Sequence, residues 1–260
     1  MKNYIKNKTA LITGATSGIG KQLALDLSKM NLNLILIGRD LKKLQKLQNK
    51  ILEKSQKKVL IESIDITKKD AVNKKLNKIL EEISIDILIN SAGLALGTEK
   101  IDKGDIENWE TMIDTNIKGL LYVSKVIIPQ MRQLETAHIV NIGSQAGKLT
   151  YPGGNVYCAT KSAVRTLSEA MNIDLLGTNI KVTNIAPGAT KTNFSNVRFK
   201  GNKEKADLVY KGYEPLSAKD ISNTIIHVLN TPKNVNIQYL DITPISQRNS
   251  YLVHRENYQP

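Results

Sequence analysis

Short apolar runs rich in β-branched residues alternate with amphipathic helical stretches along this chain. That rhythm constrains the fold more than any other feature. The runs cover 10–12, 34–37, 59–64, 85–89, 138–142, 181–185 and 236–240. Each is nearly continuous in apolar character, as in strands buried on both faces. Between them, Leu23, Leu27 and Met30 fall on one helical face, as do Leu41, Leu44, Leu47 and Ile51, and then Val72, Leu76, Ile79 and Leu80. The alternation predicts an α/β fold: a doubly wound, seven-stranded parallel sheet with helices on both faces. The 260 residues suit a single domain over 1–260, and no repeat or Pro/Gly-rich linker divides them. The segment at about 190–213 stands apart, being polar and without clear period. It predicts a functional substrate loop between the sixth strand and a helix over 216–229. The tail at about 246–260 is polar with interspersed aromatic residues. It either frays or docks on another subunit, and docking is the expectation.

Composition removes several classes of function. Cys158 is the only cysteine, so no internal disulfide forms, and one Cys with three His argues against a zinc site. No metal is expected. No apolar run reaches the roughly 18 residues of a membrane span, and the polar start lacks a signal-peptide core. The chain is expected to be soluble and cytoplasmic, with no membrane partner. The formal charge of +13 is the one anomaly, and it raises nucleic acid as a partner. Against that, 31 of the 37 basic residues are lysines dispersed over helix faces, and aromatic residues are only 5%. Nucleic-acid sites favour clustered basic patches with stacking aromatics, so no nucleic-acid partner is expected.

The first run ends in Thr13-Gly14-Ala15-Thr16-Ser17-Gly18-Ile19-Gly20, directly before a helix. A glycine-rich strand-to-helix turn lets backbone approach a pyrophosphate and aims free N–H groups at it. Glycines also serve plain tight turns, but the place after the first strand favours a Rossmann-type dinucleotide site. The second run ends Ile37-Gly38-Arg39-Asp40. Gly38 stands where an acid would bond a ribose 2′-hydroxyl, and Arg39 offers a fork for a 2′-phosphate. Arg39 has a second reading as a solvated loop residue, and Asp40 remains a candidate for the missing acid. The junction favours NADP.

Tyr157 and Lys161 form a Y-x-x-x-K pair, which shares one helix face. A phenol that acts as base near neutral pH must titrate roughly two to three units below its usual value of about 10. A neighbouring ammonium and a cationic nicotinamide both favour the phenolate. Alone, such a pair is commonplace, with a packing Tyr and a solvated Lys. Here Ser144 ends the fifth run, Asn90-Ser91-Ala92-Gly93 ends the fourth, and Asn116 lies between them. Pro187-Gly188 and Thr190 or Thr192 follow the sixth. All lie at or near C-terminal strand ends, where open α/β sheets bind ligands.

In this order the glycine turn, the N-x-A-G element, the helix Asn, the Ser, the Y-x-x-x-K pair and the P-G element resemble the short-chain dehydrogenases/reductases over the whole chain. Ser91 departs from the family, which usually has a second Asn there. The resemblance implies Tyr157 as acid/base, Lys161 as its tuner and a ribose ligand, Ser144 as substrate orienter, and Asn116 as holder of a proton-relay water. The expected cofactor set is Gly14, Thr16, Ser17, Gly18, Ile19, Gly20, Arg39, Asp65, Asn90, Ala92, Gly93, Tyr157, Lys161, Pro187, Gly188, Thr190 and Thr192. Stretches at 92–97, 108–116, 153–157 and 193–201 resemble one subgroup, the NADP-dependent 3-hydroxy acid dehydrogenases. That subgroup implies serine, allo-threonine, 3-hydroxyisobutyrate or 3-hydroxypropionate/malonic semialdehyde as substrate, and the family implies a homotetramer.

A hydroxy acid carries a carboxylate, and Arg198 in the 190–213 segment suits it. Equally, Arg198 pairs with an acid to pin the loop or meets a neighbouring subunit. Gln145 is a second polar candidate for orienting substrate, or else a solvated loop amide. Cys158 adjoins Tyr157 and is expected to be buried and inert. Two other enzyme readings keep the chemistry: a 3-oxoacyl carrier-protein reductase and a general carbonyl reductase. A sensor that binds cofactor without catalysis is disfavoured, because Tyr157, Lys161, Ser144 and Asn116 are all present.

Overall fold

The computed structural model describes residues 3–256. In chain order the elements are β1 (Thr9–Thr13), α1 (Gly18–Leu27), β2 (Asn33–Gly38), α2 (Leu41–Leu52), β3 (Val59–Ser63), α3 (Lys69–Leu80), β4 (Ile87–Asn90), α4 (Ile106–Ile113) and α5 (Leu120–Met131). Then follow β5 (Ala137–Ile142), α6 (Asn155–Asp174), β6 (Ile180–Pro187), β7 (Thr190–Lys191), α7 (Phe194–Arg198), α8 (Lys203–Leu208), β8 (Leu216–Ser217), α9 (Ala218–Leu229) and β9 (Tyr239–Ile242). Seven strands form one parallel sheet in the order β3-β2-β1-β4-β5-β6-β9. The order reverses between β1 and β4, which leaves a crevice at the C-terminal strand ends. The expected α/β fold, with its seven-stranded parallel sheet, is the observed one.

Strand parity sorts the core into two layers. Ala10, Ile12, Leu34 and Leu36 face Leu23, Leu27, Leu44, Leu47 and Ile225 of the helices on one side. Leu11, Ile35, Ile37 and Ile139 face Val72, Leu76, Val123 and Ile127 on the other. The central strands are buried throughout, as expected. The edge strands are not: Leu60 of β3 is exposed, and β9 is only partly buried. An apolar run read from sequence carries no label for its place in the sheet.

The last strand begins three residues later than its apolar run. Residues 236–238 reach the sheet first through other groups: Asn236 donates to Asn172, and the Thr183 hydroxyl donates to the Ile237 carbonyl at 2.6 Å. The 190–213 segment is not an irregular loop. It holds α7 and α8, of five and six residues, too short to display a period. Its base is tied by the parallel pair β7–β8.

Through Glu256 the tail packs onto its own chain. Gln247 bridges Val253, and Arg255 donates to the carbonyls of Val209 and Lys211, just past the end of α8. Its guanidinium also lies 5.0 Å from the Tyr213 ring centroid. Carbonyls at a helix end lack intrahelical donors, which makes them good partners for an arginine. The last four residues, 257–260, lie outside the described residues.

One buried residue predicts an acid sensitivity. The Thr183 hydroxyl proton goes to Ile237, so Thr183 can only accept from His138 Nε2, 2.8 Å away. His138 is therefore neutral with Nε2 protonated, and Nδ1 is buried without a partner. Burial, helped by nearby Lys181, pushes its pKa down to about 3. An unfolded histidine takes its proton near pH ~6.5, so stability is complete above that value and is lost as pH falls toward the folded value. The loss approaches about 5 kcal/mol at ~1.36 kcal/mol per unit. Urea midpoints at about pH 7 and pH 4 should converge in His138→Gln relative to wild type. Equal acid losses in both proteins would exclude His138 as the cause.

Candidate active site

The glycine turn after β1 meets the end of β4. Gly14 sits at φ +67°, a conformation favouring glycine, and a Cβ there would come within 2.8 Å of Ala92 Cα. The Thr13 hydroxyl accepts from the N–H groups of Ser91 and Ala92, each at 3.1 Å, and locks the two strand ends together. Ser17 begins α1 without capping it through its side chain, and the first turn holds no acid. The orphan N–H groups of that turn therefore open on a cavity of about 480 Å³. Gly14, Thr16, Ser17, Gly18, Ile19, Arg39, Asp65, Ala92, Gly93, Pro187, Gly188, Thr190 and Thr192 line this cavity.

Two expected cofactor residues do not line it. Gly20 lies behind the turn against the Gly14 carbonyl. Asn90 points into the core, where its amide donates to Asn141 at 2.9 Å and Ser124 at 3.1 Å. It stitches β4 to β5 and α5 because strand parity turns it toward the helices rather than the crevice. Asp40, left open as an acid for the ribose, caps α2 by accepting from Lys43 N at 3.0 Å and also pairs with the Lys43 ammonium. Arg39 lines the cavity, and no ion pair among the described residues includes it. An uncapped helix start, no free acid at the β2 end and an unpaired arginine there together fit a phosphorylated dinucleotide.

The other end of the cavity is built on β5 and α6. The Ser144 hydroxyl accepts from Ala146 N at 3.1 Å and so starts a tight turn over Gln145–Gly147. Gly147 lies flat on α6, where a Cβ would collide with the Lys161 carbonyl. This close approach places Ser144 beside Tyr157, where it favours the phenolate. Tyr157 and Lys161 share one face of α6, are 8% and 5% exposed, and both line the cavity. Lys161 Nζ donates to the Ile142 carbonyl at 2.8 Å, and burial pushes its pKa down to about 8.

In the protein alone Tyr157 titrates above the usual tyrosine range, not below it. Burial and the neighbouring Tyr151 outweigh the lowering by Ser144 and Arg198. Asn116 sits in a π-helical turn, Asp114–Gly119, a feature frequent at functional sites. Its side chain is committed to Leu94 N, Leu94 O and the Thr160 hydroxyl at 2.8–3.0 Å, and it does not line the cavity.

Arg198 reaches over this end from α7. Its guanidinium lies 5.3 Å from the Tyr157 ring centroid and 5.4 Å from that of Tyr151. It donates to the Tyr151 hydroxyl and, at 3.3 Å, to the Gly97 carbonyl. No carboxylate among the described residues pairs with it. Gln145 is buried, lines the cavity and donates to Asp241, so it is not a solvated loop amide. Cys158 is fully buried, and burial raises its thiol pKa. Sequence reasoning missed Tyr151, Phe194, Tyr210 and Tyr213 as lining residues. Tyr151 lies six positions before Tyr157, and that aromatic spacing was the one available signal.

The family model for short chain dehydrogenases matches residues 8–203. An NADP-dependent 3-hydroxy acid dehydrogenase of Escherichia coli (strain K12) is 41% identical over 249 residues, covering 95% of this chain and 99% of the relative. A serine 3-dehydrogenase of Agrobacterium fabrum is 39% identical, with 96% of this chain and 99% of the relative covered. Among solved structures, a closed form of serine dehydrogenase complexed with NADP+ superposes with a TM-score of 0.87 at 40% identity, covering 95% of this chain and all of that one. Family model, full-length relatives and superposition agree with the geometry of the cavity: the chain belongs to the short-chain dehydrogenase family.

Proposed function

We propose that this protein is an NADP(H)-dependent oxidoreductase of small 3-hydroxy acids. The substrate set is serine, allo-threonine, 3-hydroxyisobutyrate and 3-hydroxypropionate, or malonic semialdehyde in the reducing direction. One observation carries the reading: Arg198 has no carboxylate partner among the described residues, yet its guanidinium lies over the Tyr157 ring. A substrate whose hydroxyl reaches Tyr157 and whose carboxylate lies a few bonds away supplies the missing anion. The relatives named for 3-hydroxy acids and serine support the same class.

The residues then divide the work. Tyr157 takes the substrate hydroxyl proton in oxidation and returns it to the oxygen in reduction. Ser144 hydrogen-bonds the same oxygen. Lys161 stays largely protonated at neutral pH, and its charge favours the phenolate while its ammonium reaches a ribose. Asn116 acts as a positioning residue, pinning the 94 loop to α6 through its amide, so a relay water at this position has to use its main chain. NADP(H), when bound, supplies the hydride acceptor or donor. The start of α1 would hold its pyrophosphate, and Arg39 would hold its 2′-phosphate. The exposed side chains of Ile173, Leu176 and Ile245 support assembly of copies, with the homotetramer as the expected state.

Arg39→Leu removes the fork that holds the 2′-phosphate. A hydrogen bond to a charged group contributes roughly 1.5–3 kcal/mol, so the ratio of kcat/KM for NADP+ over NAD+ should fall about tenfold to a hundredfold. An unchanged ratio would place the 2′-phosphate elsewhere. The direct test follows nicotinamide absorbance with NADP+ and L-serine, L-allo-threonine, 3-hydroxyisobutyrate or a plain secondary alcohol. Turnover of the hydroxy acids supports the reading. Turnover of the plain alcohol alone, or reduction of acetoacetyl thioesters alone, moves the substrate class to the carbonyl or carrier-protein reductases.

A further inference from the structure

Gln145 follows Ser144 directly and is 6% exposed, with its side of the tight turn open to the cavity. Its amide has a fixed orientation. Nε2 donates to Asp241 Oδ1 on β9, and an ionised carboxylate only accepts, so the amide cannot be reversed. Asp241 is itself held, with Lys148 Nζ 3.5 Å from Oδ2. The other amide atom, Oε1, accepts no hydrogen bond from a described residue and is not among the sealed polar atoms that lack partners. It is therefore an unpaired acceptor that is not sealed off, on a residue that lines the cavity one position from Ser144, with a carboxylate on the other side of its amide.

We infer that Gln145, oriented by Asp241, is a specificity-determining residue that receives the 2-ammonium group of the substrate and so selects 2-amino-3-hydroxy acids over hydroxy acids without the amine. The inference rests on the reading of the site as a 3-hydroxy acid dehydrogenase. With the carboxylate on Arg198 and the hydroxyl between Ser144 and Tyr157, the ammonium at neutral pH needs an acceptor rather than another cation. Gln145 Oε1 is such an acceptor, and the negative Asp241 behind it raises the local preference for a cation. Serine and allo-threonine carry that ammonium, whereas 3-hydroxypropionate and 3-hydroxyisobutyrate do not. Asp241 acts through Gln145 and is a positioning residue.

The test compares kcat/KM for L-serine with kcat/KM for 3-hydroxypropionate, with NADP+, in the full-length protein. Gln145→Met keeps the volume and removes the acceptor, so the serine-to-hydroxypropionate ratio should fall about tenfold or more. Asp241→Asn leaves the amide free to turn its donor side to the cavity, and should lower the same ratio by a smaller factor. A ratio unchanged in both variants overturns the inference. So does a wild-type enzyme that prefers 3-hydroxypropionate, or a Gln145→Met variant whose only change is a higher KM for NADP+. If wild type turns over neither acid, the substrate class itself fails, and the selectivity falls with it. Should Gln145→Met fail to fold, Asp241→Asn alone decides.

Discussion

Tyr157→Phe should lower kcat for hydroxy-acid oxidation by about 10²–10⁴-fold, the usual contribution of a general acid/base. The substitution deletes one oxygen from a side chain whose ring stays packed against Phe194, with ring centroids 5.6 Å apart. Folding should survive, and circular dichroism with thermal melting checks that it does. The pH profile makes the prediction sharper. Burial holds the Tyr157 phenol above the usual tyrosine range in the protein alone. Oxidation requires phenolate, so its rate should climb with pH, approaching tenfold per unit, until the phenol of the ternary complex has titrated. Reduction requires phenol and should be nearly flat around neutrality. Lys161 is protonated below about 8, so in the neutral range it carries the charge that, in the proposed ternary complex, favours the phenolate. Lys161→Met should therefore shift the oxidation shoulder to higher pH as well as weaken the enzyme. An oxidation rate that is flat from about pH 6 to about pH 9 in wild type would remove Tyr157 from the role of base.

The fold was legible because burial writes itself into periodicity. Ala10 and Ile12 face one layer and Leu11 the other, and a strand that must satisfy both layers has no room for polar residues. The same logic fails at the edges. Leu60 in β3 is apolar although exposed, and β9 enters the sheet late because side chains of Thr183 and Asn172 engage residues 236–237 first. The α7–α8 segment has helices shorter than two turns, where no period can accumulate.

Of the candidate site, the parts tied to turns and helix spacing could be read from sequence: Gly14, Thr16 to Ile19, Ser144, Tyr157 and Lys161 all meet in one cavity. Direction could not be read. Nothing in the sequence told that Asn90 faces the core, that Asn116 uses its amide internally, or that Asp40 caps a helix. The sign of the Tyr157 shift was also hidden. It depends on how much burial opposes charge, and burial is a property of the folded chain. The tail shows a different limit. Arg255 finds the carbonyls of Val209 and Lys211 more than forty residues back, a pairing with no local signature.

Arg198→Met should raise KM for every 3-hydroxy acid by roughly a hundredfold, because truncating one partner of a buried charge pair costs about 2–5 kcal/mol. The side chain has two jobs to separate. Its bonds to the Gly97 carbonyl and the Tyr151 hydroxyl tie α7 to the 97 and 151 loops, which is a structural role. Its charge over Tyr157, with no ion pair to a carboxylate among the described residues, serves the proposed recognition role. A purely structural arginine would damage all substrates alike. A carboxylate receptor damages only those with a carboxylate, so the decisive quantity is the ratio of kcat/KM for a hydroxy acid to that for a plain secondary alcohol. Arg198→Lys refines the separation. It keeps the charge but loses the planar fork, and should recover part of the ratio without restoring it. The phenol adds an independent readout. Arg198 lies on the lowering side of the Tyr157 balance, so Arg198→Met should move the oxidation shoulder to higher pH even for the plain alcohol. A ratio unchanged in Arg198→Met, with both substrates weakened together, would reduce Arg198 to a strut between loops. The carboxylate of the substrate would then need a different partner in the cavity.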